Sequence, residues 1–450
     1  MNKRYVLILV ILVGVIFGGR PLVSFAQDRY AELQNFTKIL NLVQQYYVEE
    51  VDTKKLVNGA IKGMLKELDP HTNYMAPEIF KDFESETSGE FGGLGIEISI
   101  QNGVLTIISP IEDTPAWKAG VKPGDRVIAI DQQSTKGFTL VEASALLKGK
   151  NGSKIVLTVV RDNQENPIDI PIVRGNVKIK SVKTANLDDG YLYVRLTSFI
   201  ENTSSDLEKA LAAFKTKNNG KLEGILIDLR RNPGGLLDQA IKVSDLFLKD
   251  GIIVSTIGRD PKNKEVSYAT KKAAYGNVPI VILINEFSAS ASEIVAGALQ
   301  DNKRAVIVGE RSFGKGSVQS VIKLGDGSGL KLTVARYYTP SGVSIQSEGI
   351  KPDIEIEDVD AEAFAKAVTK SKGIREKDIT GHLKSDKEKQ SDKKQMVPTM
   401  EKNAVAWWKD IGSRKDSDLS EKEKLFKSDY QAYQAFSYLK AYKTLKMINK

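Results

Sequence analysis

The segment NEFSASASEIVAGALQ (285–300), followed by RSFGKGSVQ (311–319), decides how the rest of the chain is arranged. Ahead of it, VPIVILI (278–284) is an apolar run of strand length, and Ser292 to Gln300 has helical spacing, so NEFSAS must turn sharply between the two. Such a turn delivers a side chain to a helix N-terminus, where free backbone N–H groups and the positive end of the helix dipole favour negative charge. Ser290 stands at that junction. Lys315 follows 25 residues later between Gly314 and Gly316, whose missing side chains permit close backbone approach.

Ser290 and Glu293 also fit a capping box, in which the serine hydroxyl accepts from the third helical N–H and the acid reaches back to the cap. Elimination favours a chemical role over a purely structural one. The chain has no cysteine and two histidines, His71 and His382, both far from this segment, and His71 lies in a DPHTNY turn that reads as structural. A serine nucleophile would need another base. A lysine can serve if burial keeps it neutral.

NEFSASASEIVAGALQD and RSFGKGSVQS, preceded by DLRRNPGGLL and followed by ARYYTPSGVSIQSEGIKPDI, resemble the carboxyl-terminal (tail-specific) processing proteases, S41 serine peptidases with a serine–lysine dyad and a PDZ domain. The likeness spans roughly residues 30 to 360 in the family's order. It implies Ser290 as nucleophile, Lys315 as general base and Gln319 as the residue that orients the lysine. The fold it implies is α/β with mixed α+β character: a crotonase/ClpP-like protease core, an inserted PDZ domain, and helical N- and C-terminal regions.

At the N-terminus, Lys3 and Arg4 precede an apolar run from Tyr5 to Gly18, and Ser24-Phe25-Ala26 places small residues where a signal peptidase reads. Residues 1–26 are therefore expected to be a signal peptide, and the mature chain to be exported to the periplasm or cell envelope. An uncleaved membrane anchor is the competing reading, but the run is shorter than the 18 residues a span needs. The formal charge of +8 includes Lys3, Arg4 and Arg20, so cleavage leaves +5, with basic residues interleaved with acids throughout. This is no nucleic-acid binder's basic stripe. Without cysteine there are no disulfides or thiolate metal sites, and without HExxH the chain does not read as a zinc peptidase; no metal or other cofactor is expected.

Residues 27–90 read as an N-terminal helical region. Leu33, Phe36, Leu40, Val43 and Tyr47 recur at three and four residues, and Asp52 could cap a second helix that buries Leu56, Ile61, Met64, Leu65 and Leu68. Residues 91–177 read as short strands with one longer helix over Leu140–Leu147. FGGLGIEISI and AGVKPGDRVIAID give this stretch the look of a PDZ domain, which adds a chain terminus as a strand beside its edge strand. In that resemblance Gly93, Leu94, Gly95 and Ile96 form the loop whose N–H groups receive a substrate's terminal carboxylate.

The protease core is assigned to residues 178–360. There GILIDLR (224–230) reads as a buried strand, with NPGG turning into a helix at Leu236 and Leu237. The resemblance implies an oxyanion hole made by the backbone N–H groups of Gly235 and Ala291. Residues 361–450 hold a charged stretch, Ile374–Gln395, expected to be mobile, then Trp407-Trp408 marking a second site of burial. Phe436, Leu439, Tyr442 and Leu445 suggest a terminal helix packed on the protease or on a partner chain. The leading expectation is an exported endopeptidase that captures substrates by their C-termini and cuts near that end. The resemblance leaves open homo-oligomerisation through the terminal helices and an adaptor protein. A non-catalytic PDZ scaffold is the alternative, but it would have no use for Ser290, Lys315 and Gln319 together; a crotonase-like acyl-CoA enzyme would need neither export nor a PDZ domain.

Overall fold

The computed structural model describes residues 20–448 except 112–113, 139, 162–163, 165, 188–189, 271–272, 360–409 and 413. Residues 1–19 of the expected signal peptide, the charged stretch Ile374–Gln395, His382 and Trp407-Trp408 lie outside the described residues. Those described fall into two compact units, 20–74 with 330–332, and 75–329 with 333–448.

The first unit carries α1 (Arg20–Tyr46), α2 (Thr53–Lys66) and the start of β1 (Asn73–Met75). Asp52 caps α2, its carboxylate accepting from the N–H groups of Lys54 and Lys55 at 2.8 and 3.4 Å. Asp69 accepts from the N–H groups of His71 and Thr72 and from the Thr72 hydroxyl, so the DPHTNY turn is structural. Along α1, Tyr30, Leu33, Phe36, Ile39 and Leu42 are exposed.

The second unit begins with α3 (Pro77–Ser88) and passes into a β module. The module runs from β2 (Glu90–Gly93) through β3 (Ile96–Gln101), β4 (Val104–Pro110), α4 (Pro115–Lys118), β5 (Arg126–Ile130), β6 (Gln133–Ser134) and α5 (Leu140–Leu147) to β7 (Lys154–Val160), β8 (Ile168–Val173) and β9 (Gly175–Lys178). Strands β3-β4-β5-β7-β8 hydrogen-bond in that order, with β3 at the edge and α5 beside it. Alternation decides which side chains face inward: Ile155, Leu157 and Val159 of β7 join Leu105, Ile107 and Val127 in a core of the module's own. β2 pairs antiparallel with β9, so the strands leading into and out of the module lie side by side.

The core that follows contains β10 (Val182–Asn186), β11 (Tyr191–Leu196), α6 (Thr203–Lys217), β12 (Gly224–Asp228), α7 (Leu237–Asp245), β13 (Ile252–Ile257) and β14 (Lys264–Tyr268). It continues through β15 (Ile280–Ile284), α8 (Ala291–Asp301), β16 (Val306–Gly309), β17 (Ser317–Lys323), β18 (Gly329–Tyr338) and β19 (Ile354–Glu355), and the chain ends in α9 (Glu421–Ser428) and α10 (Tyr430–Ile448). The central sheet runs β10-β11-β12-β15-β16-β19, with β10 antiparallel to β11 and the other neighbours parallel. All five residues of β12 and of β15 are buried, as befits strands inside a parallel sheet, although β12 ends in a charged residue, Asp228.

Successive side chains serve opposite faces. Ile225, Ile227, Ile280 and Ile282 pack with α6, α7 and α8, whereas Leu226, Val281 and Leu283 pack with Phe426 of α9 and Ala435, Phe436 and Leu439 of α10. The terminal helix therefore lies on the protease sheet of its own chain. A second sheet places β18 between β13 and β17, with β14 beyond β13. The class is mixed α/β with an inserted module.

Candidate active site

Strand β15 ends at Ile284, and residues 285–290 turn into α8. The turn is held by its own polar side chains. Ser288 Oγ accepts from the Asn285 N–H at 2.9 Å and donates to the Leu229 carbonyl at 2.8 Å, and Asn285 Oδ1 accepts from the Arg231 N–H at 3.0 Å. Ser292 Oγ donates to the Asn232 carbonyl at 3.0 Å, and the same carbonyl accepts the Ala289 N–H at 3.0 Å. Two of the three serines are thus fixed to main-chain carbonyls. Ser290 is not: its side chain meets the Tyr337 hydroxyl, which burial pushes up to about 12 while the bond to Ser290 acts the other way. Ser290 has φ 55° and ψ −113°, a conformation costly for a residue with a side chain and one that clusters at active sites.

The fully buried Glu293, on the first turn of α8, organises the site. Its Oε2 accepts from the Ser290 N–H at 2.7 Å and from the Lys315 N–H at 2.9 Å. Its Oε1 accepts from the Ser312 hydroxyl at 2.6 Å and the Gly314 N–H at 2.7 Å. The serine turn and the glycine–lysine loop are therefore joined through one carboxylate, and the backbone nitrogens of Ser290 and Lys315 lie at most two hydrogen-bond lengths apart. Burial pushes the Glu293 carboxyl above its ordinary value, and the four donors oppose that rise. Sequence reading found Glu293 only as a helix-cap partner; the bonds to the 312–315 loop carry no local signal.

The NPGG turn meets the serine turn from the other side. Gly234 has φ 98°, and a Cβ there would stand 2.8 Å from Ser290 Cβ and 2.9 Å from Ala291 N; at Gly235, with φ 145°, it would stand 2.1 Å from the Phe199 carbonyl oxygen. Only glycine admits this approach. Asn232, fully buried, locks the turn: Oδ1 accepts the Gly234 N–H at 2.9 Å and Nδ2 donates to the Leu196 carbonyl at 2.8 Å. The N–H groups of Gly235 and Ala291 donate to no group among the described residues, and Gly235 is exposed. Asn232 was not singled out from sequence, since its partners lie 36 and 60 residues away.

Lys315 is half-buried. Gln319 lies on β17, where Nε2 donates to Ser317 Oγ at 2.8 Å and to Thr333 Oγ1 at 3.4 Å. In the β module, Leu94 is buried and its carbonyl accepts the Ala116 N–H, while the Gly95 carbonyl accepts from the Ile111 N–H and the Thr114 hydroxyl. Those carbonyls face inward. The N–H groups of Leu94 and Gly95 donate to nothing among the described residues, Gly93 is paired with Gly175, and Ile96 opens the edge strand β3.

Comparison with known proteins settles the family. Residues 190–356 match the profile of peptidase family S41, 106–161 that of a PDZ domain, and 23–79 the activating protease CtpB N-terminal domain. A carboxy-terminal-processing protease of Bartonella bacilliformis is 48% identical over 364 residues, covering 80% of this chain and 83% of its own. The chain belongs to the carboxy-terminal processing proteases of family S41. Carboxy-terminal processing protease CtpA of Bacillus subtilis is 38% identical over 340 residues, 75% of this chain and 71% of its own. The solved photosystem II D1 C-terminal processing protease aligns at 30% identity and a TM-score of 0.44 over 72% of this chain and 92% of its own. This S41 peptidase is thus a serine-type, C-terminal processing enzyme with a PDZ domain, and it contains the fold class expected from sequence.

Proposed function

We propose that the enzyme hydrolyses exported polypeptides near their C-termini with Ser290 as nucleophile and Lys315 as general base. The observation that carries this reading is the shared oxygen of Glu293, which holds the Ser290 and Lys315 backbones together while Ser288 and Ser292 are spent on main-chain carbonyls. Neutral Lys315 takes the Ser290 proton as Oγ attacks the scissile carbonyl. The N–H groups of Gly235 and Ala291 receive the oxyanion, the amine leaves with a proton from Lys315, and water then cleaves the acyl-enzyme by the same route. Gln319 orients the lysine. The Gly93–Ile96 loop and β3 bind the substrate's C-terminal residues by strand addition. The basic start and apolar run before Gln27 support export to the periplasm or cell envelope, and the exposed apolar residues of α1 support self-association through the N-terminal helices.

The test is incubation of the mature chain with an unfolded polypeptide, reading fragments by mass spectrometry. Ser290→Ala is expected to abolish cleavage without unfolding the protein, whereas Ser288→Ala and Ser292→Ala destabilise by about 1–3 kcal/mol through the buried partners they leave unpaired, yet still cut. Full cleavage by Ser290→Ala would refute the assignment.

A further inference from the structure

The strand that leads into the NPGG turn is gripped from the far side of the sheet by the C-terminal helices. Asp228, fully buried at the end of β12, accepts from Arg230 Nε at 3.0 Å, Arg230 Nη2 at 2.7 Å and the Tyr193 hydroxyl at 2.7 Å. The outer half of the same guanidinium reaches into the α9–α10 junction. Nη1 donates to Asp429 Oδ1 at 3.0 Å and Gln431 Oε1 at 2.9 Å, and Nη2 donates to Asp429 Oδ2 at 2.5 Å. Gln431 is itself held, its Nε2 donating to the Ile356 carbonyl at 2.7 Å.

Asp429 lies outside the residues that match the S41 profile and about 200 residues from Arg230, yet only Arg231 separates Arg230 from Asn232, the residue that locks the glycine turn. A planar fork held on both edges has one allowed position, which a single-edged contact would not define.

We propose that Asp429 is a positioning residue of the peptidase: by holding the outer edge of Arg230 it fixes the 230–235 turn, and with it the Gly235 N–H, in register with Ser290. The C-terminal helices are then part of the active-site scaffold, supplied in cis. This rests on the Ser290 and Gly235 reading above. Asp429 also caps α10, accepting the Ala432 N–H at 2.8 Å, so its two roles must be separated. Asparagine and serine both keep a helix cap while surrendering the charged contact to Arg230.

The experiment uses the full mature chain with Asp429→Asn, Asp429→Ser, Arg230→Lys and the Arg230→Lys/Asp429→Asn pair. Melting temperature is measured first, active sites are counted by exhaustive labelling with a fluorophosphonate, and kcat and KM are obtained per labelled site on a peptide substrate. Asp429→Asn is expected to lower kcat per site about tenfold or more with KM within about twofold, as when an oxyanion donor is displaced. The double variant should be no worse than the poorer single one, because both remove the same constraint. Wild-type kcat per site in folded Asp429→Asn and Asp429→Ser overturns the proposal, as does a loss that only tracks the fraction of sites labelled. Ser290→Ala run alongside tells the two failures apart: turnover there refutes the nucleophile and the proposal with it, whereas an inert Ser290→Ala beside a fully active Asp429→Asn refutes only the positioning role.

Discussion

Ser290 and Lys315 donate their backbone N–H groups to one and the same atom, Oε2 of Glu293, at 2.7 and 2.9 Å. The catalytic dyad proposed for these two residues, one from a helix cap and one from a separate loop, would need its backbones in a fixed relation. A buried carboxylate accepting from both, and from Ser312 and Gly314 through its other oxygen, supplies that relation through the backbone N–H groups of Ser290 and Lys315.

Glu293→Gln removes the charge and half of the acceptor capacity while keeping the shape. It should cut kcat at least about tenfold and leave donors unpaired at about 1–3 kcal/mol each, measured by denaturant titration. The pH dependence has a definite sign. Because burial raises the Glu293 carboxyl above 4.5, the folded chain keeps this proton in a window where the unfolded chain has released it. The contribution of Glu293 to stability is therefore full below that value and falls as pH rises through the window. Glu293→Gln should abolish this component, and stability curves of the two proteins against pH will show whether it does.

Asp228 titrates in the opposite sense. Burial pushes its carboxyl up, but Arg230 and Tyr193 outweigh that and hold it below 3.8. Its contribution to stability is present above the ordinary aspartate value and disappears as pH falls through the folded one. The stability gap between wild type and Asp228→Asn should be flat at neutral pH and close on acidification; a gap that widens in acid would reverse the assignment.

Glycine substitutions separate the turn from ordinary loops. Gly235→Ala drives a Cβ to 2.1 Å from the Phe199 carbonyl oxygen, and Gly234→Ala places one 2.7 Å from the Ala289 carbonyl oxygen, so both should lose nearly all turnover. Gly325→Ala, where a Cβ meets nothing within 4 Å, should leave kcat within about twofold. Parallel kcat measurements on folded variants decide the point.

Lys315→Ala and Lys315→Arg should both be inert in single-turnover acylation, since a guanidinium stays protonated in a protein. Gln319→Ala should retain weak activity. Thr333→Val, which removes one of the two hydroxyls Gln319 donates to, should lose less than Gln319→Ala. Substantial acylation by Lys315→Arg would exclude lysine as the base.

A peptide with a free terminal carboxylate should bind the Ser290→Ala protein more tightly than its amidated form, by about tenfold, because the N–H groups of Leu94 and Gly95 then receive a charge. Calorimetry on the two peptides gives the comparison, and equal affinity would refute terminus capture by this loop.

What was legible in the sequence was what local pattern encodes. The apolar run before Asn285 and the helical spacing after Ser290 require the elbow, and GILIDLR (224–230) reads as the buried strand that β12 is. The Gly-Gly pair marked a turn into a helix, but did not show that the turn would press against the Phe199 backbone. Contacts that depend on the closed fold left no such trace. Asn232, Tyr337 and Ser312 are ordinary polar residues until the 230–235 turn, β18 and the 311–316 loop converge on α8. The Arg230–Asp429 bond joins residues 199 positions apart, and nothing near either one announces the other.

The antiparallel pairing of Glu90–Gly93 with Gly175–Lys178 is extended by the Ile179 N–H donating to the Gly89 carbonyl at 2.8 Å. To the core, the PDZ module is a closed loop whose ends are stapled by a two-stranded ladder. Loop-closure entropy grows only logarithmically with length, so the size of the module adds little to the cost of folding the peptidase around it. With its own apolar core, the module is an inserted unit at a site where the chain on either side is already paired. A short turn joining the two strands of the ladder should leave a peptidase core that still folds but lacks the PDZ module and, with it, the C-terminus capture proposed above.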